Sequence, residues 1–319
     1  MQEVFIKITE LIKNNKKFII MTHSNPDLDG MSSALCFYDI ITGFKKDVRI
    51  YTKKSTANRA VNNMLEMMKS SNYEYIYSDY KEYIDKETIL IILDVNRTSL
   101  LENSKIIKEV ENVLVIDHHI LARDCINNTL VSYVNSNLSS IAEFCTEYIK
   151  FLNKNITHLL ATCLLAAMEI DTNNFNIKTT SKTHNAAASL LELGADNVVA
   201  QELLKESKEE YLKRQDMLKN SFIIKDNIAI CLFNNNIYTK VDLALASEEL
   251  ITFENIEAAF TIGYIAKDII GISARSIGNI DVEAIMEKLG GGGHMTEAAC
   301  EIKGSSKEQA YKNLFEVIK

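Results

Sequence analysis

Three uninterrupted apolar runs, at residues 18–21 (FIIM), 89–93 (ILIIL) and 113–116 (VLVI), constrain this fold more than any other part of the chain. A strand with no polar side is covered on both faces, as in a parallel sheet packed between two layers. Each run also ends in chemistry. Thr22-His23-Ser24-Asn25-Pro26-Asp27-Leu28-Asp29 follows the first, Asp94 the second and Asp117-His118-His119 the third. The carboxyl ends of strands are where open α/β sheets bind ligands. A fourth apolar segment, 164–170, ends in Asp171.

Around these runs the apolar spacing alternates. Helices are expected over 4–13, 31–41 and 60–69 and strands over 48–51 and 73–77, and this alternation predicts an α/β fold with a doubly wound, mostly parallel sheet. The spacing is helical over 139–152, 156–168 and 183–194, the last stopped by Gly194. Residues 205–220 read as a charged connecting helix with a solvated face. Strands at 228–233, 258–265 and 269–273 and helices at 281–289 and 307–317 then predict a smaller α/β unit. The expected organisation is a first domain over 1–190, a helical linker over 191–222 and a second domain over 223–319.

A length of 319 residues suits about two domains, and 47% hydrophobic content supports a core in each. The net charge of -8 argues against an extended basic groove, and so against long nucleic acid as a partner. No run of about 18 apolar residues offers a membrane segment, and the N-terminus lacks a basic stretch followed by an apolar one. A soluble, cytoplasmic protein is expected. The six cysteines are scattered without a C-x-x-C pair and are expected to be reduced, small core residues.

His23, Asp27 and Asp29 share one loop, and Asp94, His118 and Asp171 join them if the strands are neighbours. Carboxylates with a minority of imidazoles suit Mn²⁺ better than the thiolate-rich sites of structural zinc. Six ligands exceed the needs of one ion with open positions, so two divalent cations sharing Asp94 are expected. Such a pair, about 3.5–4 Å apart, activates water and stabilises the attacking and leaving oxygens of an in-line displacement at phosphorus. Asp27 or Asp29 alone reads more readily as a helix cap, and a single histidine as structural; together they read as metal ligands. Asp117 is expected to orient a ligand histidine. His119 is left to contact a substrate phosphate or donate a proton.

These residues resemble the DHH phosphoesterase superfamily. Its H-x-x-P-D-x-D motif looks like His23 to Asp29, its second aspartate like Asp94, its D-H-H like Asp117 to His119, and its D-T-x-x-F like Asp171 to Phe175. Ser273-Ala274-Arg275-Ser276 and Gly290-Gly291-Gly292-Gly293-His294 resemble the DHHA1 domain, so the likeness covers nearly the whole chain. It implies one cation on His23, Asp27 and Asp94 and a second on Asp29, Asp94, His118 and Asp171. It also implies that the loop carrying Gly291, Gly292, Gly293 and His294 binds a substrate phosphate, which close backbone approach at glycine permits. Arg275 beside it suits a bidentate phosphate clamp. Without the resemblance, Arg275 reads equally as a surface salt bridge, and the glycine run as a helix stop with a flexible loop. Ser139-Ser140-Ile141-Ala142-Glu143 is also similar to a family segment, and an N-cap with a capping-box glutamate explains it.

Within the superfamily, the Ser273 to Gly293 stretch and Asp171-Thr172-Asn173-Asn174-Phe175 look most like GdpP-type cyclic di-AMP phosphodiesterases. That resemblance implies hydrolysis of cyclic di-AMP to pApA by a water activated by two metals. An oligoribonuclease and pAp phosphatase is the alternative, and a non-catalytic cyclic-dinucleotide sensor is a third reading. Partners are thus small nucleotides: cyclic di-AMP, pApA or short oligoribonucleotides. Full-length members of the GdpP group place transmembrane, PAS and degenerate GGDEF regions before these domains. This chain carries none, which predicts a catalytic fragment or a stand-alone relative. A homodimer is left open by these residues. One departure is Ser32, which stands where the family commonly has glycine and removes no metal ligand.

Overall fold

The computed structural model describes residues 1–54, 56, 58–77, 79–121, 124–225 and 227–318, without the side chains of Glu210 and His294. The chain forms two compact units, Met1–Lys205 and Glu206–Lys319.

The first unit is built on strands β1 (Lys17–Met21), β2 (Asp47–Tyr51), β3 (Tyr75–Ile76), β4 (Ile89–Leu93), β5 (Asn112–Asp117) and β6 (Val131–Val134). They form one sheet in the order β3-β2-β1-β4-β5-β6, and every pairing is parallel. Side chains alternate across it as the two-residue strand period requires. Phe18, Ile20, Ile89, Ile91, Leu93, Leu114 and Ile116 enter one core, and Ile19, Met21, Leu90, Ile92, Val113 and Val115 the other. Each fully buried Ile or Leu contributes about 1.5–3 kcal/mol relative to exposure, so a one-residue slip of a central strand is strongly disfavoured.

Helices α1 (Gln2–Asn14), α2 (Leu28–Gly43), α3 (Arg59–Met67), α4 (Ile141–Phe151), α5 (His158–Asp171), α6 (Ser181–Glu192) and α7 (Asn197–Leu204) all bury residues in the first of these cores. Loop residues and short 3₁₀ turns, among them Tyr80, Ile106, Val110 and Ile126, close the second. The strand order reverses between β1 and β4, the position at which such sheets open a crevice. Met21 pairs with Ile92, and Ile92 with Val115. The chain therefore leaves the three central strands at nearly one level, with His23, Asp94 and Asp117-His118-His119 at the exits.

The second unit contains α8 (Lys208–Leu218), β7 (Ser221–Ile224), β8 (Ile228–Ile237), α9 (Lys240–Leu250), β9 (Ala258–Ala266), β10 (Ile269–Ser276), α10 (Val282–Lys288), β11 (Gly292–His294), β12 (Glu297–Lys303) and α11 (Lys307–Ile318). Its sheet runs β11-β12-β10-β9-β8-β7, parallel only between β8 and β9. Val282 and Met286 of α10 with Ala310 and Leu314 of α11 bury one face, and Leu218 of α8 with Leu243 and Leu250 of α9 bury the other.

Several local expectations change. Within the span read as a helical linker, α7 packs on α5 and α8 packs on α9 and β8, on either side of Lys205. Residues 73–77 reduce to the two-residue β3, and the expected glycine loop partly becomes β11, since Gly292, Gly293 and His294 pair with β12. Five cysteines are buried, whereas Cys125 is half-buried and so is not a core thiol. No helix among the described residues is long and apolar enough to cross a membrane.

Candidate metal centre

The sequence of the loop after β1 sets its geometry. Asp27 is the N-cap of α2: its Oδ1 accepts from the Gly30 N–H at 2.9 Å, while its Oδ2 lies 3.7 Å from His23 Nε2. Capping therefore occupies one oxygen of the carboxyl group and leaves the other facing His23. Asp29, in the first turn of α2, is 1% exposed and accepts at both oxygens, from Ile141 N at 2.6 Å and Ala142 N at 2.7 Å. Those two N–H groups open α4, where a helix leaves donors without internal partners. Asp29 still faces His118, with Oδ2 at 3.9 Å from Nε2, because each carboxylate oxygen has two lone pairs.

Asp94 sits at the centre. Its φ is +63°, a left-handed conformation that Asp tolerates better than most side chains. Its Oδ2 faces His23 Nε2 at 3.5 Å, and its Oδ1 faces His118 Nε2 at 3.3 Å and His119 Nδ1 at 3.6 Å. These contacts are close but not aligned as hydrogen bonds, so both buried oxygens lack a hydrogen-bond partner. An unmade bond at a buried polar atom costs about 1–3 kcal/mol, which a bound cation would offset. Gly30 allows the approach, since a Cβ there would lie 3.2 Å from Asp94 Oδ2. Asp171, the last residue of α5, brings Oδ2 to 3.4 Å from His118 Nε2.

Three donor groups result, His23-Asp27-Asp94, Asp29-His118-Asp171 and Asp94-His118-His119, and the third shares one residue with each of the other two. Their electrostatics are strongly coupled. Burial opposes a charge on His23, yet Asp27 and Asp94 outweigh it and raise its pKa to about 11. Burial likewise opposes a charge on His118, and Asp94 leads the raising to about 10. Burial and then Asp94 push Asp29 up to about 7, and burial and then Asp29 push Asp171 well above the usual carboxylate range. Burial would raise Asp94 too, but His118 and His23 hold it well below that range. Carboxyls crowded in low dielectric demand positive charge, from protons or from cations. With Asp94's two unpartnered oxygens divided between the groups and donors that are oxygen and imidazole nitrogen, these residues fit divalent cations.

Asp117 departs from expectation in its partner. It is fully buried, and its Oδ1 accepts from the ring Nδ1 of His119 at 2.8 Å and from the His119 backbone N at 3.2 Å. It thus orients His119 rather than the candidate ligand His118. Asn96 Nδ2 donates to the other oxygen, Asp117 Oδ2, and also to Ile120 O at 3.1 Å. With Nδ1 engaged, His119 offers its Nε2, and its side chain is 43% exposed. The apolar-run reading missed Asn96, although it lies two residues past Asp94.

The residues expected to bind substrate lie in the second unit. Arg275, on β10, donates through Nε and Nη2 to Glu248 Oε1 at 3.2 and 2.9 Å and through Nη1 to Ala274 O at 3.1 Å, so here it makes a salt bridge. Among the glycines, Gly290 ends α10 with φ +82°. A Cβ on Gly291 would lie 2.2 Å from Ala299 O, and one on Gly293 2.3 Å from Glu297 O, so β12 requires both to be glycine. Gly292 meets nothing within 4 Å and has no such demand on it. The His294 side chain lies outside the described residues. Gly290 to Gly293, Arg275 and Ser273 line a cavity of 690 Å³, within the roughly 300–1,000 Å³ of small-molecule sites. Its charged lining balances, Lys240 and Arg275 against Glu297 and Glu301.

Comparison with known proteins places these features. Residues 17–168 match the DHH family N-terminal domain, and residues 225–319 match the DHHA1 domain. A cyclic-di-AMP phosphodiesterase, GdpP of Bacillus subtilis, is 32% identical over 96% of this chain, which spans 48% of that protein. The chain thus spans about half the length of this relative. A bifunctional oligoribonuclease and PAP phosphatase, NrnA of Thermus thermophilus, is 23% identical over 94% of this chain and 88% of that protein. The crystal structure of an exopolyphosphatase-related protein from Bacteroides fragilis matches with a TM-score of 0.84 at 22% identity, covering 100% of this chain and 96% of that one, and shows the shared fold.

Proposed function

Because this chain is a DHH-family protein carrying a DHHA1 domain, we propose that it is a metal-dependent phosphodiesterase that opens cyclic di-AMP to pApA. The observation that carries the reading is Asp94, whose two buried oxygens lack hydrogen-bond partners and face different donor groups. His23, Asp27 and Asp94 would hold one divalent cation, and Asp29, Asp94, His118 and Asp171 a second, with Mn²⁺ the best match to these donors. When bound, such a pair makes water nucleophilic near neutral pH and offsets negative charge on the attacking and leaving oxygens.

The chain's own residues supply the rest. Asp27 and Asp29 are fixed by the start of α2 and the start of α4, so neither carboxyl group must reorganise. Asp117 fixes the ring of His119 through Nδ1, leaving Nε2 to meet a substrate phosphate oxygen or to donate a proton to the departing 3′ oxygen. Water adds to phosphorus, the bond from phosphorus to the 3′ oxygen breaks, and the product keeps a 5′ phosphate. Within the second unit, Gly291, Gly292 and Gly293, with Arg275 and His294, would bind a phosphate group of the nucleotide. Arg275 would give up its ion pair with the half-exposed Glu248 to do so.

The similarity to GdpP favours cyclic di-AMP, while the match to 88% of the length of NrnA favours a second reading, an oligoribonuclease and pAp phosphatase on the same metal centre. Incubating the protein with Mn²⁺ and cyclic di-AMP, pApA or pAp separates them. Fastest loss of cyclic di-AMP with accumulation of pApA is expected. Preferential release of AMP from pApA or pAp would overturn the first reading for the second.

A further inference from the structure

Glu143 lies in the Ser139-Ser140-Ile141-Ala142-Glu143 segment, and its surroundings differ from those of an ordinary capping box. Ser140 is the N-cap of α4, its Oγ accepting from Glu143 N at 3.2 Å. A capping-box glutamate would return to the backbone N–H of that same N-cap residue. Glu143 instead returns one residue further back. Its Oε2 accepts from Ser139 Oγ at 2.6 Å and Ser139 N at 3.2 Å, and it is 1% exposed. The same oxygen accepts from Thr183 Oγ1 at 2.9 Å, in the first turn of α6.

These bonds join two segments that carry candidate ligands. The start of α4 is the place whose Ile141 and Ala142 N–H groups grip both oxygens of Asp29. The start of α6 ends the segment that begins at Asp171, and Asn173, Asn174 and Phe175 within that segment are all left-handed, with φ of 46°, 55° and 63°. Such a run of unfavourable backbone persists only where surrounding bonds hold it, here within the run from Phe175 N to Thr172 Oγ1 at 2.9 Å and from Asn174 N to Glu169 O at 2.7 Å, as well as at its two ends. Asp171 is held by α5, and the far end is held by α6 through Thr183.

We infer that Glu143 is a positioning residue for one cation only, fixing the Asp29-His118-Asp171 group by tying α4 to α6 while leaving His23-Asp27-Asp94 untouched. The inference rests on the two-cation reading above. Residues that orient ligands typically govern metal affinity by about 10- to 100-fold.

The test is calorimetric titration of the metal-free full chain with Mn²⁺, with melting measured alongside. The wild type is expected to bind two ions. Glu143→Ala should weaken one by about 10- to 100-fold and leave the other unchanged. Glu143→Gln keeps an acceptor oxygen for Ser139 and Thr183 and should restore wild-type binding. Ser139→Ala and Thr183→Val each remove one donor to Oε2, keep the glutamate, and should weaken the same ion if Glu143→Ala fails to fold. Two unaltered sites, equal weakening of both, or a Gln variant as poor as the Ala variant would overturn the role of Glu143. A wild type that binds a single ion would refute the two-cation reading itself.

Discussion

Asp94→Asn removes the charge shared by the two donor groups and little else. Asn has nearly the same volume and enters the left-handed region readily, so the φ of +63° is retained. Both groups lose their common carboxylate, at Oδ2 facing His23 and Oδ1 facing His118. With Mn²⁺ at about 100 times its dissociation constant, each of the two occupied sites adds about 2.7 kcal/mol to stability. For a unit the size of Met1–Lys205, each corresponds to a rise in melting temperature of about 5–11 °C. The variant should lose nearly all of that rise, and its turnover should fall by at least about 10³-fold, close to 4 kcal/mol of barrier. Melting scans with and without Mn²⁺, and product assays at saturating Mn²⁺, read both effects. A variant with the wild-type rise and wild-type turnover would refute the shared-ligand argument. One that keeps the rise but loses turnover would move Asp94 from metal binding to another part of catalysis.

Other perturbations separate the parts of the site. Asp117→Asn should leave Mn²⁺ binding intact but lower turnover by about 10²-fold or more, as an oriented proton donor contributes about 10²–10⁴-fold; steady-state kinetics beside a metal titration check it. Gly291→Ala should cost about 1–3 kcal/mol in denaturant unfolding because its Cβ meets the Ala299 carbonyl, whereas Gly292→Ala should fold normally and raise KM. Arg275→Ala should raise KM for the nucleotide by about 10- to 150-fold, from loss of a charge-assisted phosphate bond worth roughly 1.5–3 kcal/mol, while Glu248→Ala should change stability by under about 1 kcal/mol.

Much of the first unit is legible because its signals are local. Ile89 to Leu93 is apolar on both faces, so neither helix periodicity nor an exposed edge competes with the strand reading, and Asp94 marks its end. The short edge strand Val131–Val134 is half exposed and mixes serine and tyrosine with valine, so its pattern resembles a loop. In the second unit, Glu297–Lys303 hides a two-residue period behind alanines, with Ala298 and Cys300 buried and Ala299 exposed. The helix Lys240–Leu250 buries Ala246 and Ser247 beside its leucines, too small an apolar stripe to stand out.

The ligand candidates share that local character, since each lies at the end of an apolar segment. Their supports do not. Asp29 is held by residues 112 and 113 positions later, and Glu143 by Thr183 at a separation of 40, so packing alone creates those pairs. Arg275 shows the converse: the sequence reading gave a phosphate clamp and a salt bridge equal weight, and Glu248 on a neighbouring helix supplies the partner.

Hydrolysis of cyclic di-AMP in ¹⁸O-labelled water tests the central claim most directly. With Mn²⁺ present, pApA carrying one ¹⁸O on its 5′ phosphate is expected after a single ring opening, with an unlabelled 3′ hydroxyl. Failure to form pApA, or label on the 3′ hydroxyl instead of the phosphate, would contradict attack of water at phosphorus by this metal centre.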